Sequence, residues 1–339
     1  MPSLQTAWFL LIGLLFVGYA VLDGFDLGAG IVHLFVARSD AERRSVLNAI
    51  GPVWDGNEVW LITGGGALFA AFPLVYATVF SGFYLAVMLL LGALILRAVS
   101  IEFRSKETNR LWRRAWDAGF ALGSTLAAFL FGVALGNIVR GLPLDGGGVY
   151  RGGLAGLLNP FSIVMGLLTL GLAAQQGSSW LVLKTEGALR TRARRTGLAS
   201  TLLVIAAWFA TTDIAWFDSN RVFDNFARNP LAWVGPIAAA MALASMFYAY
   251  GRRQEFLAFV LSSVAIVGLA ATAGATLYPN LVPAVDTSRS LTVNNAHSSD
   301  TTLTVMLVMA LVGMPIVLAY TAFIYWKFKG KVQLDEAGY

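Results

Sequence analysis

The chain has 339 residues, of which 57% are apolar and only 13% are charged. Soluble domains carry about 25% charged residues, so this composition excludes an ordinary soluble protein and indicates a polytopic membrane protein. The formal net charge of +5 is expected to lie in loops on one side of the membrane rather than to serve nucleic-acid binding. Because there is no cysteine, thiolate iron–sulfur ligation, thioether-linked haem and disulfides are excluded.

Nine apolar runs are long enough to cross a bilayer, which takes about 20 residues. The first run has no basic stretch before it and no small-residue cleavage site after it, so we expect a retained anchor rather than a signal peptide. No soluble domain fits between the runs. We therefore predict an all-α transmembrane bundle that forms a single integral membrane domain over residues 1–339. Its predicted spans are 7–36, 49–71, 77–98, 117–139, 157–183, 198–217, 232–250, 256–277 and 302–326.

Basic residues are distributed unevenly among the loops. The loops after spans one, three, five and seven, together with the C-terminus, hold most of the 24 Lys and Arg residues. The positive-inside rule then places the N-terminus outside and the C-terminus in the cytoplasm. An odd number of spans agrees with this orientation, and the loop 99–115 is predicted to face the cytoplasm.

Glycines at helical spacing predict close helix packing. Gly24 and Gly28 form a small-xxx-small pair in span one, and Gly132 and Gly136 form another in span four. Residues 64–66 are three consecutive glycines in span two. In lipid, close backbone approach is a main source of helix association.

Two acid pairs lie where lipid-spanning helices should be uncharged. Asp23 and Asp26 belong to the first apolar run, and Asp55 and Glu58 begin the second. Inserting each such charged group into a bilayer costs roughly 2.5–3.5 kcal/mol, so a charged residue in a span usually has a functional role or a partner. The spacing of three puts each pair on one helix face. If the second helix starts near residue 46, all four carboxyls lie at matching depth.

Two interpretations of these acids stay open. In the first, mutual repulsion and burial favour protons that are held and passed on, with Arg97 as the nearest counter-charge and Glu102 as an antenna at the cytoplasmic end. In the second, the acids pair with Arg97 and Asn57 as structural links between helices. We favour proton or ion conduction, because four acids beside one base leave excess charge.

The remaining polar residues carry weaker indications. Asn137, Gln175 and Gln176 are expected to form hydrogen bonds between helices. The chain has two histidines: His297 falls in a polar loop, and His33 lies about two turns from Asp26. His33 either extends a proton path or, as interfacial histidines usually are, is solvated. Two peripheral histidines make this chain a poor candidate to hold several haems by itself.

Several motifs resemble subunit II of the cytochrome bd quinol oxidases. The most specific are residues 18–28 (GYAVLDGFDLG) and 51–63 (GPVWDGNEVWLIT). Further agreement comes from 67–73 (ALFAAFP), 81–84 (SGFY), 158–161 (LNPF) and 325–327 (YWK). The resemblance covers essentially the whole chain, and nine spans with an outside N-terminus suit the family.

The resemblance implies a function, partners and cofactors. It implies an enzyme complex of the bacterial or archaeal cytoplasmic membrane that reduces dioxygen to water with membrane quinol. Two b-type haems and one d-type haem would belong to subunit I, with small single-span subunits as further partners and a structural quinone as a further ligand.

The resemblance also implies site residues. Asp23 and Asp55 map onto a proposed proton route, with Arg97 and Glu102 nearby, and Trp60 matches the aromatic residue at a suggested oxygen access point. Position 58 is Glu here, where relatives often carry Gln, which adds a carboxyl to the group.

A second class of function is an independent proton-coupled transporter or channel. Such a protein is expected to show broken helices at mid-membrane or repeated halves. The sequence indicates neither, so we favour the oxidase subunit.

Overall fold

The computed structural model describes residues 3–218 and 220–332. Helices dominate this part of the chain, beginning with α1 (Leu4–Val36), α2 (Asp40–Ile50), α3 (Trp54–Ala71), α4 (Pro73–Gly82), α5 (Tyr84–Phe103), α6 (Arg110–Arg140) and α7 (Gly153–Leu157). They continue with α8 (Pro160–Lys184), α9 (Gly187–Asp218), α10 (Asp224–Arg228), α11 (Val234–Gly251), α12 (Glu255–Leu277) and α13 (Asp300–Lys327). Two short antiparallel strands, β1 (Asn280–Val282) and β2 (Leu291–Thr292), and four 3₁₀ turns lie in the loops.

The predicted helical bundle is confirmed. Among the described residues, eight helices are long and apolar enough to cross a membrane, and a ninth span is possible if α3 and α4 count as one bent pair. The eight are α1, α5 with its following 3₁₀ turn, α6, α8, α9, α11 with its preceding turn, α12 and α13.

The second predicted span differs from the structure at both of its ends. We predicted a run over 49–71, but the chain forms the separate helix α2, then a turn, and α3 begins at Trp54. Pro52 lies in that turn, where it has no backbone N–H to donate and so interrupts the helical hydrogen bonding. Asp55 therefore lies in the first turn of α3, and not three turns into a helix.

At its other end, α3 stops at a second proline. Phe72 leaves the helical region and Pro73 opens α4, which is bent by 120° from α3. The third span begins at Tyr84 and not at residue 77. The sequence did not indicate this bend, and the expectation of no broken helix at mid-membrane stays a prediction. The break lies 17 residues beyond Asp55, about 25 Å along α3, so it is far from the acid pairs.

Helix α8 packs along both α1 and α6, and glycines set these contacts. A β-carbon on Gly28 would collide with the carbonyl oxygen of Ala173 and come within 2.6 Å of the amide nitrogen of Gly177. A β-carbon on Gly132 or Gly136 would likewise lie too close to α8, at 2.7 Å from the α-carbon of Gly166 and 2.9 Å from that of Ser162. These two predicted packing sites are confirmed.

Other glycines do not pack as predicted. Gly24 has only the tip of Ile266 near it, and Gly65 and Gly66 have no atom within 4 Å of a built β-carbon. The faces of Gly65 and Gly66 are left open by the described residues of this chain, because α3 lies at the edge of the bundle, whereas Gly24 of α1 is buried without a close backbone contact.

One end of the bundle carries the polar loops. The backbone of Leu142 pairs with that of Ala284, which joins the segment after α6 to the segment after α12. Arg140 at the end of α6 forms an ion pair with Asp218 at the end of α9, at 2.5 Å. We call this the loop end.

The other end, the basic end, holds the C-terminal tail against α8. The described part of this tail is residues 328–332, which follow α13. Lys184 Nζ donates to the carbonyl of Phe328 at 2.6 Å, and the Val332 amide donates to the carbonyl of Lys184 at 2.9 Å. Lys331 pairs with Glu255 at 2.7 Å. These contacts fix the end of α13, although only 6% of its most apolar stretch is buried.

Candidate functional site

A buried ion pair links α1 to α5. Arg97 donates to both carboxylate oxygens of Asp23, from Nη1 at 2.9 Å and from Nη2 at 2.5 Å, and neither side chain is exposed. Arg97 reaches this position because α5 packs tightly on α6: a β-carbon on Gly123 would lie 2.8 Å from the backbone nitrogen of Arg97. The predicted counter-charge is confirmed, inside the bundle rather than at its end.

Arg97 also meets the first turns of α3. Its Nη1 lies 3.2 Å from Oε1 of Glu58, whose side chain is 25% exposed. One guanidinium therefore lies between carboxyls of two helices. Glu58 of α3 therefore lies at the same depth in the bundle as Asp23 of α1, as we predicted.

The second acid of α1 has a different partner. Asn57 Nδ2 donates to Oδ2 of Asp26 at 2.7 Å, and the Tyr325 hydroxyl donates to Oδ1 of Asn57 at 2.9 Å. Asp26 is fully buried, and its Oδ1 has no hydrogen-bond partner among the described residues. A chain of polar contacts thus runs from α13 through α3 to α1.

Asp55 is placed differently from the prediction. It is exposed, and its side chain makes no hydrogen bond or ion pair within residues 3–218 and 220–332, so it does not join the other three acids. The i, i+3 spacing puts Asp55 and Glu58 on one face, but that face turns from the bundle toward its surface. Glu58 lies between the buried acids and Asp55.

Glu102 and Trp60 lie at the borders of this group. Glu102 is half-buried one residue before the end of α5, and it makes no hydrogen bond or ion pair to the acids. Trp60 is half-buried against α1, where a β-carbon on Gly18 would collide with its ring. We call Asp23, Asp26, Asn57, Glu58, Arg97 and Tyr325 the acid cluster.

The charges of the acid cluster do not balance. Three carboxyls face one guanidinium, and Asp26 is paired only with a neutral amide. Charges so placed are costly in a medium of low dielectric unless a proton or another cation reduces the net charge. The arrangement is therefore suited to hold and exchange protons, while the Asp23–Arg97 pair also links α1 to α5 as the structural interpretation expected.

A second buried network lies nearer the basic end. Asp117 of α6 accepts from Arg104 at 2.6 Å and from Arg43 at 2.6 Å, and it lies 2.8 Å from Nε2 of His33. Arg104 also pairs with Asp40 at 2.8 Å. This group, the Asp117 network, joins α1, α2, α6 and the turn after α5.

The expectation of a solvated His33 was wrong. Its side chain has no exposed surface, because α6 covers it: Nε2 lies against Asp117, and the ring packs edge-on against Phe120. Sequence reasoning also missed Asp117 and Arg104. Asp117, an acid at the first position of a predicted span, was the signal that could have found the network.

The three polar residues assigned to helix contacts behave as predicted. Gln175 donates to Thr201 of α9 at 2.9 Å, and Gln176 donates to Ser263 of α12 at 2.9 Å. Asn137 donates to the carbonyl of Leu157 at 2.8 Å. They hold neighbouring elements together and stand apart from the acid cluster.

Comparisons with known proteins agree with this architecture. The chain is 36% identical to cytochrome bd-I ubiquinol oxidase subunit 2 of Escherichia coli K12, over 98% of this chain and 96% of that one. It is 35% identical to cytochrome bd ubiquinol oxidase subunit 2 of Bacillus subtilis, over 99% of both chains. The fold is similar to a chain in the structure of bd oxidase from Geobacillus thermodenitrificans, with a TM-score of 0.80, 17% identity and 96% of this chain covered.

The family model for cytochrome bd terminal oxidase subunit II matches residues 4–328. The match spans the helices that carry the acid cluster as well as the peripheral helix α13. It favours a component of a terminal quinol oxidase complex over an independent transporter. These relatives are bacterial, so the bacterial inner membrane is supported and the archaeal alternative is not. The chain belongs to the cytochrome bd terminal oxidase subunit II family.

Proposed function

We propose that this chain is the subunit II that packs against a haem-bearing subunit I and supplies it with cytoplasmic protons as dioxygen is reduced to water by membrane quinol. The observation that carries the proton assignment is the acid cluster, where three carboxyls inside a membrane bundle face one guanidinium. A purely structural link would need only the Asp23–Arg97 pair. The additional carboxyls are the groups that gain and lose protons.

The proposed route crosses the chain from the basic end to its surface. Glu102, half-buried five residues beyond Arg97 on α5, receives protons at the cytoplasmic side. The acid cluster holds them among Asp23, Asp26 and Glu58. Asp55, exposed one turn before Glu58 on α3, passes them to the partner subunit.

Substitution of Asp26 and of Asp55 by Asn tests the route. Each change keeps shape and most hydrogen bonding but removes the exchangeable proton. We expect the purified complex to keep its haems and lose quinol-oxidase turnover on the order of tenfold. Asp213→Asn, at an exposed acid of α9, is the matched control and should retain full turnover.

The alternative outcome is equally specific. If the acids are structural links only, Asp26→Asn should lower the yield or haem content of the complex and leave turnover per haem normal. Full haem content with normal turnover and normal charge translocation in both variants would remove these residues from a proton route.

The outer face of α3 is the proposed contact with subunit I. Five of its exposed residues are spaced by four, three, four and three positions, which is the repeat of a helix-packing seam: Asp55, Val59, Ile62, Gly66 and Phe69. Gly56 and Thr63, also exposed, lie beside this series. Small residues on a lipid-exposed stripe let another helix approach closely. Helix α13, which is mostly unburied, lies beside α3 and extends this face.

A bulky substitution tests the face. Gly66 has open space around it, so Gly66→Trp should leave this chain folded and greatly reduce co-purification of the haem-bearing subunit. Met241→Trp is the control, because Met241 is 66% exposed on α11, away from the stripe. Equal co-purification of both variants would show that subunit I packs elsewhere.

The histidines of this chain support haem binding by the partner. Haem would supply the oxygen-reducing and electron-transfer chemistry of the complex. His33 uses Nε2 for Asp117, and His297 uses Nδ1 for the carbonyl of Ser298 at 2.6 Å.

Three further expectations remain predictions. Trp60, half-buried between α1 and α3 and two positions from Glu58, is the proposed oxygen access point. Small single-span subunits and a structural quinone are the other proposed partners of the complex.

A further inference from the structure

We propose that Asn57, held by Tyr325, is a positioning residue that makes Oδ1 of Asp26 the atom at which the proton binds and leaves. The inference rests on the proposed function, in which Asp26 carries protons. It adds to that role a defined orientation of the carboxyl, set by the hydrogen bonds of the Asn57 amide and the Tyr325 hydroxyl.

The position of Asn57 is closely defined. Its side chain is 2% exposed, and Nδ2 lies 2.7 Å from Oδ2 of Asp26 and 3.4 Å from the carbonyl oxygen of Leu22. An amide nitrogen donates and never accepts. Because Oδ2 of Asp26 and the carbonyl oxygen of Leu22 are both acceptors, the nitrogen of the Asn57 amide must face them.

Tyr325 fixes the same orientation from the other side. Its hydroxyl lies 2.9 Å from Oδ1 of Asn57 and must donate to it, because an amide oxygen has no proton to give. A flipped amide would place its oxygen against Oδ2 of Asp26 and the carbonyl of Leu22. Donor and acceptor sides of Asn57 are thus both satisfied in one orientation only.

This orientation distinguishes the two oxygens of Asp26. A proton on Oδ2 would point at the N–H of Asn57, hydrogen against hydrogen. Oδ1 is buried and has no partner among the described residues, so it is free to take the proton. When the proton leaves, the bond from Asn57 becomes charge-assisted and stabilises the carboxylate.

The structure also holds Tyr325 in place. Its ring lies edge-on to Phe25 and Trp180, at 6.4 and 6.1 Å between centroids. Three residues later the C-terminal tail begins, whose contacts with Lys184 and Glu255 fix the end of α13. An otherwise peripheral helix is therefore anchored where its hydroxyl meets Asn57.

Infrared difference spectroscopy of the purified oxidase complex tests the proposal. The C=O band of protonated Asp26 is identified by its loss in Asp26→Asn. In Asn57→Leu we expect this band at higher wavenumber, because the Oδ2 carbonyl loses its donor, and turnover lower on the order of tenfold. The other ionisable groups of the cluster (Asp23, Glu58, Arg97 and Tyr325) are unchanged in that variant.

Tyr325→Phe keeps the amide and carries the test if Asn57→Leu fails to assemble. Without the phenol, the amide also adopts the flipped orientation beside protonated Asp26, so we expect a second C=O band and a displaced pH profile of turnover. Tyr320→Phe is the matched control, because Tyr320 is 65% exposed on the same helix, and it should match the wild type.

The outcomes separate the two proposals. If Asp26→Asn inhibits turnover but Tyr325→Phe and any assembled Asn57→Leu keep the wild-type band and pH profile, the positioning role is overturned and the proton route stands. If the wild-type complex shows no C=O band that disappears in Asp26→Asn, the positioning role is also overturned. Normal turnover and charge translocation in Asp26→Asn overturn the proton route itself.

Discussion

At the scale of the residue, Asp117 illustrates how many ion pairs a single buried carboxylate can form. It is 1% exposed and is surrounded by Arg104, Arg43 and His33, whereas Asp40 of the same network is 48% exposed. Removing one partner of a buried ion pair leaves the other charges uncompensated, at a cost of about 3–5 kcal/mol. An exposed pair contributes only about 0–1 kcal/mol.

We therefore expect Asp117→Asn to lower the thermal unfolding midpoint of the purified complex strongly, and Asp40→Asn to change it little. Differential scanning calorimetry of both variants measures the difference. Equal midpoints would mean that the Asp117 network does not stabilise the fold.

Sequence reasoning at this scale identified the acids and their counter-charge Arg97, but not the surroundings of Asp55 and His33. The acids and Arg97 were found because charged residues stand out in apolar runs. Asp55 and His33 were misplaced, because helical spacing tells which residues share a face and not which helix covers that face. The covering helix α6, with Asp117, is distant in sequence from His33.

At the scale of the element, the contact between α1 and α8 depends on glycine. A β-carbon at Gly28 would meet backbone atoms of Ala173 and Gly177, which cannot move aside as a flexible side chain can. Overpacking of this kind costs about 1–3 kcal/mol, and a backbone clash lies at the upper part of that range.

Gly28→Ala should accordingly reduce the thermal midpoint and the yield of the complex. Gly13→Ala in the same helix is the control, since no atom lies within 4 Å of its built β-carbon, and there the better helix propensity of alanine is neutral or favourable. Were both variants equally stable, α1 and α8 would have to separate without cost.

The predicted elements were correct where hydropathy alone decides them and wrong where proline does. The long apolar runs became helices, although α6 and α9 begin at Arg110 and Gly187, before the predicted starts at 117 and 198. Residues 49–71 were predicted as one span because their hydropathy is nearly continuous. Pro52 and Pro73 interrupt hydrogen bonding of the backbone, which a hydropathy average does not register.

At the scale of the whole molecule, the bundle has two different ends. The basic end carries the Asp117 network and the contacts of the C-terminal tail, whereas the loop end carries β1, β2 and the paired segments around Leu142 and Ala284. Sequence could predict this asymmetry, because lysine and arginine counts need no tertiary information. The pairing of the two loop segments joins residues 142 positions apart, and no local pattern indicates it.

Single cysteines at the two ends test the predicted orientation. The chain has no cysteine of its own, and Thr108 and Asn294 are exposed in loops at the basic end and the loop end. In intact cells, an impermeant thiol reagent should label Asn294→Cys and leave Thr108→Cys unlabelled until the cells are opened. This follows from the positive-inside rule. The reverse labelling would place the basic end outside, and Glu102 would then open to the wrong side of the membrane for a cytoplasmic proton route.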